Sequence, residues 1–125
     1  MTCAIREGDY TSTGGVVLRT SGTLCWEERR VARMGDPVWC EACQQVGFIA
    51  QGNPTFVDNF ITVATHGQAV SCACPKGTHT LISSQDQLRA DMEASITIPE
   101  DLAELSRDQA LEMMRLRLLA QQQAD

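Results

Sequence analysis

Short apolar runs separated by turn residues fill residues 1–84. Val16-Val17-Leu18, Phe48-Ile49-Ala50 and Leu81-Ile82 read as strands, closed by Gly22, Gly52 and Ser83-Ser84 respectively. Two further segments read as hairpins, one over 23–33 turning at Glu27-Glu28 and one over 55–65 turning at Asp58-Asn59. Beyond residue 84 the pattern becomes helical. Ser84-Gln85-Asp86-Gln87, Thr97-Ile98-Pro99-Glu100 and Ser106-Arg107-Asp108-Gln109 each carry helix-start chemistry. They predict helices over 85–94, 98–105 and 107–122. The last has Leu111, Met114 and Leu118 on one stripe with Leu119 beside it, a face that needs cover.

The apolar runs belong to an internal repeat. Ala4-Ile5-Arg6-Glu7-Gly8-Asp9 aligns with Val31-Ala32-Arg33-Met34-Gly35-Asp36 and with Val63-Ala64-Thr65-His66-Gly67-Gln68. Five residues after each glycine come Thr13, Cys40 and Cys72. Each glycine marks a turn, and the aspartates can accept backbone N–H bonds there. Three copies of a strand-turn-strand unit predict pseudo-threefold packing, with equivalent positions converging on one axis.

Composition sharpens the boundary. All nine glycines and all six cysteines precede residue 85. Residues 1–84 hold six basic and seven acidic groups, whereas 85–125 hold four and nine. The chain therefore divides into a β domain, 1–84, and an acidic helical extension, 85–125. No basic stripe is visible to track phosphates, so nucleic acid is not expected as a partner. There is no apolar run of membrane-spanning length and no secretory signal pattern at the start. A cytoplasmic chain in a reducing compartment is expected, with its cysteines free or metal-bound rather than disulfide-bonded.

Cys40 and Cys43 have the C-x2-C spacing that grips one ion from a tight turn, and Cys72 and Cys74 form C-x-C. His66 precedes the second pair and His79 follows it. Zinc takes four such donors in a tetrahedron. The preferred set is Cys40, Cys43, His66 and Cys72. Cys40, Cys43, Cys72 and Cys74 is an equally simple alternative, and His79 could replace any one of them. A thiolate-rich, four-donor set with no adjacent general base reads as structural, so no enzymatic activity is expected. A small domain with only 5% aromatics has little core to bury. Structural zinc supplies an apparent ~10–16 kcal/mol of folding energy.

The segments 5–18, 31–43 and 63–67 with Cys72 resemble the PAAR-repeat family of type VI secretion spike tips, over roughly residues 4–84. The resemblance implies a mainly β, pseudo-threefold cone of short strands and hairpins, here with a C-terminal α-helical extension. It implies structural zinc near the apex and a base seated on a VgrG-type spike trimer. It also implies a mechanical, membrane-piercing role, with transient contact with a target membrane, and residues 85–125 could carry an effector toxin or adaptor. The protein would then be cytoplasmic in the producing bacterium and leave with the spike. Many relatives have histidine where this chain has Thr13, a poor zinc ligand, and Gln68 replaces the third aspartate. The competing reading is a small zinc-ribbon-like adaptor that binds a protein through its helical tail.

Overall fold

The computed structural model describes residues 2–75 and 77–124, with side chains described as far as Leu116 in the C-terminal helix. The strands are β1 (Val16–Val17), β2 (Cys25–Trp26), β3 (Arg29–Arg30), β4 (Pro37–Cys40), β5 (Gln45–Ile49), β6 (Gln51–Asp58), β7 (Ile61–Val63), β8 (Val70–Ser71) and β9 (Ile96–Thr97). A 3-10 turn, Glu100–Leu102, leads into the single helix α1, Ala103–Ala124. The strands form three small sheets, ordered β1-β4-β5-β8, β2-β3 and β7-β6-β9, with antiparallel pairing throughout.

The sequence repeat is a structural repeat. Gly8, Gly35 and Gly67 have φ of 86°, 97° and 87°, a region that side chains resist. The next residue then turns its side chain back on the chain. Asp9 accepts the Arg6 N–H (2.8 Å), Asp36 accepts the Arg33 N–H (2.8 Å), and Gln68 Oε1 accepts the Thr65 N–H (2.8 Å). Glutamine thus does in the third turn what aspartate does in the first two.

Three backbone bonds close a ring between the repeats. The Ile5 N–H donates to the Ala64 carbonyl, Ala64 to Ala32, and Ala32 to Ile5, at 2.9, 2.9 and 2.8 Å. A second set, Leu18 to Pro37, Ala50 to Ala69 and Ile82 to Tyr10, links each repeat to the next and the third back to the first. Side chains stack inside in layers of equivalents: Ile5, Ala32 and Ala64, then Val17, Ile49 and Leu81, all essentially inaccessible to water. Val38 and Val70 complete this cluster, and a second, smaller one gathers Ala4, Val31 and Val63 with Phe56 and Leu88 against it.

Both hairpins form. Glu27 and Glu28 are the turn of the first, as the pattern predicts, at φ 52° and 68°. The second turns one residue later than Asp58-Asn59: Asp58 pairs with Ile61, leaving Asn59 and Phe60 at φ 51° and 74°. Asp58 is held in the ladder because its carboxylate accepts the Thr23 and Leu24 N–H groups and the Thr23 hydroxyl. Cys25 is exposed in β2.

The helical reading of 85–125 needs correction. Among the described residues, 85–94 contain no helix. Gln85 Oε1 takes the N–H groups of Gln87 and Leu88, while the Ala4 N–H bonds to the Leu88 carbonyl and the Ala90 N–H to that of Thr2. This stretch supplies the N-terminal repeat with an edge partner, so its backbone is not free to coil. After Pro99 the 3-10 turn replaces the predicted helix start, and α1 runs unbroken through Ser106. Ser106 is buried beside Ala110 where α1 meets β4 and β5, and is not a cap. Leu111 is exposed and Met114 half-buried; Leu118 and Leu119 lie outside the described side chains.

Candidate metal centre

The turn register decides what converges. Thr13, Cys40 and Cys72 are the same position in the three repeats. Cys40 ends β4 and Cys72 follows β8, next-but-one strands of the four-stranded sheet. Between them runs β5, where Gly47 has no side chain to hold Cys72 away: a Cβ there would lie 2.9 Å from Cys72 Cβ. The Cys72 thiol stands 3.3 Å from Cys40 Sγ, and Cys74 Sγ stands 3.9 Å from it. The chain then turns at Pro75, whose carbonyl accepts the Thr78 N–H, and returns His79 to the same point. His79 Nε2 lies 3.3 Å from Cys40 Sγ.

The donor atoms of Cys40, Cys72, Cys74 and His79 all lie within 4.8 Å of one another, the one such group among the described residues. A tetrahedral zinc with Zn–S bonds of ~2.3 Å has ligand–ligand edges of about 3.8 Å. The separations from Cys40 Sγ of 3.3, 3.9 and 3.3 Å bracket that value. Cys40 and His79 are buried, Cys72 and Cys74 half-buried. Three thiols and one imidazole, soft and borderline donors with no carboxylate among them, fit zinc in a closed structural site.

Burial pushes the Cys72 thiol up, and the neighbouring thiols of Cys40, Cys74 and Cys43 push it further. Cys74 is raised as well, by desolvation and by Cys40 and Cys43. Cys43 goes the other way. Desolvation opposes ionisation there, but hydrogen bonds from the Cys40 thiol, the Ala73 backbone and the Cys72 and Cys74 thiols outweigh it. Crowded thiols cannot all ionise together cheaply, and a dication is the species that lets them.

Of the residues singled out by spacing, Cys40 and Cys72 enter the four-atom group and Cys43 stands beside it. His66 lies elsewhere, in a groove with Cys3 and Asp86, where its Nδ1 accepts the Ser83 N–H at 3.1 Å. It precedes Gly67 and so shares its register with Glu7 and Met34, not with the residues that converge. Cys74 and His79, held as alternatives from the sequence, take the remaining corners of the group.

A family model for the PAAR motif matches residues 7–76, more than half of the chain. The chain belongs to the PAAR-motif family. The match spans all three glycine turns and Cys40, Cys43, Cys72 and Cys74, and stops short of His79. PAAR domains form a structural spike-tip family of type VI secretion systems, and the mainly β architecture with one C-terminal helix agrees with their fold. No curated protein and no solved structure gives a significant match.

Proposed function

We propose that this chain caps a VgrG-type spike trimer and forms its membrane-piercing tip, pinned by one structural zinc on Cys40, Cys72, Cys74 and His79. The observation that carries the reading is the closed ring of backbone bonds through Ile5, Ala32 and Ala64. One chain with three equivalent edges can meet three identical subunits, which three separate small proteins could not do at a point. Zinc, when bound, crosslinks the apical loops. The chain's own part is to bring the donors together on β4 and the loop after β8. No turnover is required, only resistance to deformation.

At the other end of the β5–β6 run, the β6–β7 hairpin presents Phe60, which is 95% exposed and in left-handed backbone conformation, with Val57 and Ile61 beside it. A bulky residue exposed and strained in this way favours a contact surface, and this end is the reading's docking base. Residues 85–125 form the extension that recruits an effector or adaptor. In support, α1 packs through the small residues Ser106 and Ala110 and leaves Leu105, Leu111 and Leu116 exposed, as is Leu102 in the 3-10 turn before it. No described helix is long and apolar enough to cross a membrane. The protein is made in the producing cell and delivered with the spike.

The test is native mass measurement of the full chain mixed with its spike trimer. One copy per trimer with one zinc is expected, and F60D should weaken the complex while leaving zinc content unchanged. Three copies per trimer, or no complex at micromolar concentration, would overturn the assignment.

A further inference from the structure

The first repeat has threonine at the position where the other two supply Cys40 and Cys72. Its loop nevertheless reaches the same point. The Thr13 hydroxyl hydrogen-bonds to His79 Nδ1, while Nε2 of the same ring faces Cys40 Sγ at 3.3 Å. We propose that Thr13 is the positioning residue of the metal centre: it holds His79 as the Nδ1–H tautomer and so aims an unprotonated Nε2 at the ion. The proposal rests on the reading that the four-atom group binds zinc.

Three observations carry it. An imidazole nitrogen can bind a cation only without its proton, and in the neutral ring that proton then sits on the other nitrogen. His79 is 2% exposed, so an Nδ1–H without an acceptor would be a buried, unpaired donor. The Thr13 oxygen is the acceptor in place. Second, the same loop clamps the backbone beside His79. The Ser12 N–H donates to the Thr80 carbonyl at 2.8 Å, and the Thr80 N–H donates to Ser12 Oγ at 3.1 Å. On the other side the Val70 N–H donates to the His79 carbonyl at 3.1 Å. With the backbone fixed, ring rotation is the freedom left, and the hydroxyl removes it. Third, Thr13 is itself placed by its register: the Thr11 hydroxyl accepts the Gly15 N–H at 2.9 Å and lies 3.4 Å from Thr13 Oγ1. The first repeat thus contributes the seat of a ligand in place of a ligand.

The test compares zinc-loaded wild type with T13V, T13S, H79A and the T13V/H79A double variant, all in the full chain. Zinc affinity is read by chelator competition, and the His79 tautomer by nitrogen chemical shifts. T13V should bind zinc about 10–100-fold more weakly, the usual cost of losing a partner behind a metal-bound histidine. T13S should recover most of that. In the H79A background T13V should cost nothing more, because the hydroxyl acts through the ring. The wild type should show protonated Nδ1 and metal-bound Nε2. A T13V affinity equal to wild type, zinc on Nδ1, or fully additive losses in the double variant would overturn the positioning role alone. Failure of the wild type to bind zinc at all would overturn this proposal together with the metal reading beneath it.

Discussion

Gly47→Ala tests whether the β5–β8 seam sets the metal geometry. Gly47 pairs with Val38 in β4, and its missing side chain lets β8 come close on the other flank. A Cβ at this position would lie 2.2 Å from the Ser71 carbonyl oxygen and 2.9 Å from Cys72 Cβ. Ordinary contact starts near 3.4 Å, so the Ser71 backbone must retreat by about 1.2 Å. The obstacle is main chain and cannot rotate away. Overpacking of this kind costs about 1–3 kcal/mol, a fall in Tm of roughly 4–15 °C for a domain of this size. Cys72 is the next residue and moves with Ser71. A metal site tolerates displacement of only about 0.2 Å in its ligand distances. G47A should therefore lose zinc affinity as well as stability. G52A is the control: its Cβ would fall 2.0 Å from Thr62 Oγ1, in the β6–β7 hairpin away from the thiols. It should lower Tm and leave zinc affinity near wild type. Thermal unfolding and chelator competition on both variants decide the matter. A G47A protein that melts lower but binds zinc as tightly as wild type would refute the coupling between seam and metal.

Two further outcomes are expected. H79A and C74S should each weaken zinc binding and lower Tm, whereas H66A and C3S should leave zinc content at one per chain by elemental analysis; a zinc loss in H66A would make His66 a ligand. A boundary at residue 84 is tested by truncation with zinc present. Because Ala4 and Thr2 bond to Leu88 and Ala90, a chain ending at Ser84 should melt below one ending at Ile98, and equal Tm values would place the boundary at 84.

Much of the architecture was legible because it repeats. Gly8, Gly35 and Gly67 mark the same left-handed turn, and the residue after each supplies the same bond, so one motif read three times fixed both the threefold arrangement and the register of Thr13, Cys40 and Cys72. That register also carried a signal about His66, which occupies a pre-glycine position six residues from the convergent one. Which of Cys43, Cys74 and His79 stands with Cys40 and Cys72 in the four-atom group was not legible from spacing. It depends on how the turn at Pro75 folds the chain back, and on the Ser12–Thr80 clasp, a contact across 68 residues. The helix expected over 85–94 failed for a related reason. Its capping residues are real hydrogen-bonders, but Gln85 spends both ends of its amide on Ala4, Gln87 and Leu88. Local helix chemistry and edge-strand chemistry use the same groups, and a waiting β partner decided between them.

The ring through Ile5, Ala32 and Ala64 has a consequence for how the chain must fold. In a solenoid each repeat rests on its neighbour, and order can spread from one end. Here the first repeat is bonded to the third as well as to the second, and Ile82 closes onto Tyr10. No pair of repeats is complete. A nascent chain that has exposed only its first two turns holds unpaired strand edges with nothing to satisfy them, and closure requires loops of tens of residues to be fixed at once. The domain should therefore fold in one late step, after its last repeat has left the ribosome. A chain interrupted before that point offers its edges to other chains rather than to itself.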